Sequence, residues 1–243
     1  MKTDLSLIVS KSYSIFKYPR PVAITNVCTT CCLSSEDARK LLTLPLNEIP
    51  VELINEYNDG AQAIIYDMKE FKYFLPRYLD LIQNFEFTSV IDLSLSLKNL
   101  SFKNELLWKN KDEVTIIKQF SIAFFKKYLK EDLNKFEGNF ADILNLFFTA
   151  QISIEPLLDI VKNNLTNKGI SDIAELLVNG ISFRKMRISS SFIDEELSTI
   201  IIKWITENKL LFYKYIEIYI MNKSNDDRST QLSNMYDFLD YFK

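Results

Sequence analysis

Apolar positions in this chain recur mostly three and four residues apart, the spacing that lines one side of a helix. Between residues 3 and 17, Leu5, Ile8, Val9, Tyr13 and Phe16 follow that repeat until Pro19 and Pro21 stop it. Ser34-Ser35-Glu36-Asp37 reads as a helix start, with a hydroxyl cap and an acidic first turn, and the helix runs through Ala38–Leu44 to Pro45. Another helix is predicted from Asn47, which can cap, with Pro50 in its early turn and Gly60 closing it. Residues 70–82 place aromatic and aliphatic side chains at helical spacing, and Pro76 predicts a kink or a new first turn there.

Further helices are predicted over 89–97, 103–109, 112–130, 136–149, 153–164, 171–180, 190–207, 209–222 and 229–242. The helix at 112–130 shows the pattern well, with Val114, Ile117, Phe120, Ile122, Phe124, Phe125 and Leu129 apolar and Lys118, Lys126, Lys127 and Lys130 left for solvent. Asn134–Gly138 and Asn163–Gly169 read as turns, whose shortness favours antiparallel neighbours. Residues 210–221 are rich in β-branched and aromatic side chains and could form a strand; helix is the reading adopted. The expected fold is therefore all-α, a bundle of amphipathic helices with stacked helical hairpins in its C-terminal part. It is taken as a single domain over 1–243, with subregions 1–87 and 88–243.

Composition agrees with this pattern. Four glycines and six prolines leave little material for the turns of a barrel or sandwich. A net charge of −3 argues against general nucleic-acid binding and suits a basic partner. The N-terminal apolar stretch is too short for a secretory signal, and charges interrupt the most apolar region, residues 199–221, so no membrane span is expected and the cytoplasm is the expected location.

All three cysteines fall in Cys28-Thr-Thr-Cys31-Cys32, in a chain without histidine. A packing role is the reading adopted, with the thiols under the first helices. Metal binding by three thiolates and a carboxylate, redox chemistry and partner contact are the alternatives. Glu48, Glu52 and Glu56 recur every four residues with Asp59 close behind, either a solvated face or an acidic contact for a basic partner. Ser189-Ser190-Ser191 and Asp194-Glu195-Glu196 read as a helix cap and first turn, and Arg184-Lys185-Met186-Arg187 as a loop between helices. No phosphate loop, dinucleotide fingerprint, hydrolase elbow or zinc-protease motif occurs, so neither a catalytic site nor a cofactor is expected.

The stretch from Cys28-x-x-Cys31-Cys32 through Leu46-Asn-Glu-Ile-Pro-Val-Glu-Leu-Ile-Asn-Glu-Tyr57 to Phe71-Lys-Tyr-Phe-Leu-Pro-Arg-Tyr-Leu-Asp-Leu-Ile82 resembles a family of bacterial cytosolic proteins. That family carries a histidine or aromatic near the first cysteine and a histidine after the tyrosine helix, where this chain has Asn26 and Ala61–Ala63. Its members look similar to immunity or accessory proteins encoded beside interbacterial toxins. The resemblance implies a binding protein that holds a cognate, basic toxin inactive. Glu48, Glu52, Glu56 and Asp59 would then steer encounter, and Tyr57, Tyr73, Arg77 and Tyr78 would serve as contact anchors. A helical scaffold for another complex and an enzyme with a carboxylate site are the rival classes.

Overall fold

The computed structural model describes residues 4–131, 139–163, 166–177, 181–182, 187–188, 192–222 and 227–240. The fold is all-α. Its helices are α1 (Leu5–Ile15), α2 (Ser35–Thr43), α3 (Val51–Asp59), α4 (Met68–Gln83), α5 (Lys111–Tyr128), α6 (Phe140–Thr149), α7 (Glu155–Asn163), α8 (Asn167–Glu175), α9 (Glu195–Glu207), α10 (Lys209–Asn222) and α11 (Asp227–Asp240). Among the described residues the only strand ladder pairs Ile181–Ser182 (β1) with Arg187–Ile188 (β2), antiparallel. No helix among them is long and apolar enough to cross a membrane.

The chain forms two compact units, one of Met1–Lys127 with Thr149–Ile152 and one of Tyr128–Phe148 with Ser153–Lys243. This division falls near the end of α5, well beyond the 87/88 boundary drawn from sequence.

In the first unit α4 is the core element. Glu70 to Pro76 are all buried, and Tyr78, Leu79, Leu81 and Ile82 extend the buried surface to the helix end. A helix buried on most of its circumference needs cover on several sides. The first unit supplies it from α1, which packs on α4 and buries Ile8 and Val9, and from two 3₁₀ segments, Leu46–Glu48 and Leu93–Leu100. Pro76 neither ends α4 nor starts a new helix; it lies inside one continuous sixteen-residue element. The chain leaves α4 through Phe85 at φ 62°, a left-handed residue closing the helix where glycine or asparagine is usual. Its ring packs on Phe124, with centroids 5.4 Å apart.

Three expectations in this unit are corrected. The helix predicted from Asn47 is split: Leu46–Glu48 is a 3₁₀ turn, Ile49 is extended, and Pro50 is the N-cap of α3. The cause is local, since a residue before proline is pushed out of the helical region. The segment 93–100 is 3₁₀ instead of the α-helix predicted over 89–97. Residues 103–109 form successive i→i+3 turns, with the Asn104 carboxamide oxygen accepting from Leu106 N–H and so competing with helix formation.

In the second unit, α8 packs on α11, α11 on α10, and β2 on α9. Phe140, Ile143, Leu144 and Phe147 of α6, Leu157 and Val161 of α7, and Ile201 and Ile205 of α9 are all within 1 % of complete burial. The Tyr128 hydroxyl donates to Asp172 Oδ2 at 2.7 Å, and the Ile188 N–H donates to Ser198 Oγ at 2.7 Å. Residues 210–221 are helical, as adopted. The helix predicted at 171–180 begins earlier because Thr166 Oγ1 caps it, accepting from Gly169 N–H at 3.0 Å. Asp194, not a serine, caps α9, its carboxylate accepting from Glu196 N–H at 2.7 Å. Ser189–Ser191, Arg184–Met186 and the turn at 134–138 lie outside the described residues, and Arg187 belongs to β2.

Candidate functional site

The most organised polar feature of the first unit surrounds Glu70, whose side chain is almost fully buried. Glu70 Oε2 accepts from Thr25 N–H at 2.8 Å and Thr25 Oγ1 at 2.6 Å. Its Oε1 accepts from Asn26 N–H at 3.1 Å and from the Tyr57 hydroxyl at 3.0 Å. Four donors converge on one carboxylate, the arrangement that makes burial of a charge tolerable. Burial above all, with neighbouring acidic groups, raises the Tyr57 phenol well above its ordinary range, so it remains a donor.

Asn26, itself fully buried, does the complementary work. Its Nδ2 donates to the Asp67 carbonyl at 2.8 Å and to the Tyr57 hydroxyl at 3.0 Å, while its Oδ1 accepts from Asp67 N–H at 2.6 Å. The Asn26 carbonyl also accepts from Ala63 N–H at 2.9 Å. One residue therefore ties both ends of the 63–67 loop between α3 and α4. At the tip of that loop Ile64 and Ile65 are 104 % and 88 % exposed.

The cysteine segment hangs from the same scaffold. Val27 and Gln62 form an antiparallel bridge, and Cys28 N–H donates to the Ala61 carbonyl at 2.9 Å. Gly60 permits this approach, because a Cβ there would lie 2.3 Å from Val27 Cγ2 and 2.9 Å from the Glu56 carbonyl oxygen. From Cys28 the chain makes a single turn, with the N–H groups of Cys32 and Leu33 both donating to the Cys28 carbonyl. Cys28 Sγ lies 3.0 Å from Cys31 Sγ, and Cys31 Sγ lies 3.4 Å from Cys32 Sγ. Ala61 N–H donates to Cys32 Sγ at 3.3 Å.

The packing role expected for these thiols is corrected: Cys31 is exposed, and Cys28 and Cys32 are half-buried. The segment sits on the α3–α4 connection instead of beneath the first helices, because the 27/62 bridge fixes it there. The Cys31 thiol and the N–H groups of Thr30 and Cys31 draw the Cys28 thiol down to about 7. Hydrogen bonding to Cys28 and Cys32 pushes Cys31 up to about 12.

The residues singled out for partner contact separate into two groups. Glu48, Glu52 and Glu56 are exposed, with Glu48 on the 3₁₀ turn before α3 and the other two on α3 itself. Asp59 faces inward, with 11 % of its side chain accessible; it accepts from Val90 N–H at 2.8 Å and Asn58 Nδ2 at 3.0 Å, and lies 3.8 Å from Lys98 Nζ. Tyr57, Tyr73 and Tyr78 are core residues: Phe74 meets Tyr57 at a tilt and Tyr73 edge-on, and Tyr78 packs edge-on against Phe71. The Tyr73 hydroxyl accepts from Arg20 Nε at 3.0 Å, and the same guanidinium reaches the carbonyls of Leu42, Thr43 and Leu44 at the end of α2. Arg77 donates to the Ile49 carbonyl and to Asp80, both at 2.7 Å. The aromatic character of the three tyrosines thus reflects packing within the core of this unit.

Sequence reading passed over the residues that do the positioning. Glu70 and Asn26 went unremarked as a pair because they lie 44 positions apart and neither belongs to a motif. The available clue was a carboxylate in the first turn of a helix rich in aromatic and aliphatic residues. Lys72, two residues on, is similar: its Nζ lies 2.6 Å from Glu113 Oε2, donates to the Leu107 carbonyl at 2.6 Å and sits 4.1 Å from the centre of the Trp108 ring. The Tyr18 hydroxyl completes this buried group by donating to Glu113 Oε1 at 2.7 Å.

No protein-family profile, curated protein or solved structure matches the chain.

Proposed function

We propose that the protein is an immunity-type binding protein that neutralises a cognate, basic interbacterial toxin by direct contact. The observation that carries this reading is the Ile64-Ile65 pair, wholly exposed on a loop whose two ends are fixed by Asn26. Scattered exposed apolar residues are ordinary, but two adjacent ones on a constrained loop form a ready-made anchor. Burying either side chain against a partner contributes about 1.5–3 kcal/mol. Constraint lowers the ordering cost of binding. The exposed carboxylates Glu48, Glu52 and Glu56 precede that loop on the same stretch of chain and supply the negative charge that steers a basic partner. Support also comes from the resemblance of the N-terminal third to proteins encoded beside toxins.

The test is co-expression with the toxin encoded beside this gene, scored by survival and by recovery of a complex. Survival with a stoichiometric complex is the expected result. Survival without a complex would assign an enzyme that reverses damage, a complex without protection would assign a scaffold, and the absence of both survival and a complex would overturn the reading outright.

A further inference from the structure

Side chains of consecutive residues ordinarily diverge, yet Cys31 and Cys32 bring their sulfurs to 3.4 Å, and Cys28 approaches Cys31 to 3.0 Å from the far side of the turn. All three sulfurs lie within 4.8 Å of one another. Three soft donors on five residues of backbone therefore point at one place, and the place is accessible, since Cys31 is exposed.

The surroundings suit thiolates. Ala61 N–H donates to Cys32 Sγ at 3.3 Å from outside the turn. Amide donors aimed at sulfur offset the negative charge that thiolate ligands bring together, as outer-shell donors do in metal centres generally. The turn is also held from outside: Cys28 is hydrogen-bonded to Ala61, and the chain just before it is gripped by Glu70 and Asn26. A disulfide between Cys28 and Cys31 would use two of the sulfurs and leave the approach of Cys32 unexplained.

We infer that Cys28, Cys31 and Cys32 form a three-thiolate site for a single thiophilic metal ion, Zn²⁺ or Cu⁺. A zinc–sulfur bond of about 2.3 Å sets tetrahedral sulfurs about 3.8 Å apart, so the two close pairs need open by less than about 1 Å. The chain has no other cysteine and no histidine. A tetrahedral ion would thus take its fourth ligand from solvent, a small thiol or an oxygen donor, whereas Cu⁺ is satisfied by soft thiolates alone. The inference concerns ion binding and does not depend on the partner proposed above.

The experiment uses the full-length protein, reduced and stripped with a chelator under anaerobic conditions, and titrated separately with Zn²⁺ and Cu⁺ against a chromophoric competitor. One equivalent of either ion held by the wild type, and lost in Cys31→Ser, is the expected result; retention of Zn²⁺ or of Cu⁺ then identifies the ion. Cys31 is exposed, so that variant should keep the helical circular dichroism of the parent, and Cys28→Ser provides a second deletion on the other side of the turn. Failure to hold one equivalent of either ion, or binding unchanged in both variants, would overturn the site. Treatment with glutathione disulfide that links Cys28 to Cys31 in a protein retaining neither ion would also overturn it, and would assign thiol–disulfide chemistry instead.

Discussion

Two buried charged groups sit two residues apart on α4 and are held in opposite ways. Glu70 is surrounded by neutral donors: two N–H groups and two hydroxyls. Lys72 faces an opposite charge, the Glu113 carboxylate 2.6 Å away, with 6 % and 3 % of the two side chains accessible. Neutral donors supplied by backbone fix where backbone goes, and Glu70 accordingly determines the path of residues 25–26 into the cysteine turn. An ion pair fixes a pair of side chains, and Lys72–Glu113 accordingly joins α4 to α5 within the first unit. The first arrangement positions a surface, while the second holds a core together.

The largest expected effect follows from breaking the ionic arrangement on one side. Lys72→Met leaves the Glu113 carboxylate buried without its cation, and urea denaturation should show a loss of about 3–5 kcal/mol. Adding Glu113→Leu to the same protein should recover most of that loss, because the desolvated charge is gone as well. If the double variant is no more stable than the single one, the pair is not held as described.

Glu70→Gln sharpens the other side of the comparison. Whichever oxygen becomes an amide then faces a backbone N–H of Thr25 or Asn26, and neither can turn into an acceptor. The cost should be about 1–3 kcal/mol, below that of Lys72→Met, because one buried donor loses its partner instead of a whole charge. The distinguishing readout is local. Alkylation of the cysteines should quicken in Glu70→Gln and stay unchanged in the Lys72→Met, Glu113→Leu double variant.

A smaller effect concerns the thiols of the wild-type protein in its reduced, metal-stripped form. Because Cys28 is lowered to about 7, its thiolate fraction grows as pH rises through that value, and iodoacetamide should label it first near neutrality. Cys31, raised to about 12, should stay largely protonated there. Peptide mapping after brief labelling decides this, and Cys31 as the first labelled site would contradict the hydrogen-bond order of the turn.

The sequence made most helices legible because their apolar residues keep a helical period, and α10 resolved as helix despite its β-branched and aromatic content. Where local chemistry competes with that period, the reading failed. Pro50 broke the helix expected from Asn47, Asn104 turned its own backbone, and Asp92 caps a 3₁₀ segment in place of an α-helix. Pro76 shows the converse, since packing on nearly every side of α4 overrides a breaker. The cysteine cluster was visible as a motif, but its support was not. Asn26, Gly60 and Glu70 act through contacts between segments distant in sequence, which no local pattern records. Tyr73 and Tyr78 were legible as part of the helical aromatic repeat over 70–82, and that same repeat is why they ended in the core; Tyr57, on α3, is buried as well.

The central claim is that the Glu70–Asn26 scaffold presents Ile64 and Ile65 to a protein partner. The most direct measurement compares binding of the co-expressed toxin by the wild type, by the Ile64→Asp, Ile65→Asp double variant and by the Glu52→Lys, Glu56→Lys double variant. All these side chains are exposed, so stability should stay within about 0.5 kcal/mol of wild type in each. The account predicts that the isoleucine variant raises Kd by more than about 100-fold, through faster dissociation, from the burial lost at two anchors. It predicts that the glutamate variant mainly slows association and weakens its salt dependence. An isoleucine variant that binds within about three-fold of the wild type would contradict it.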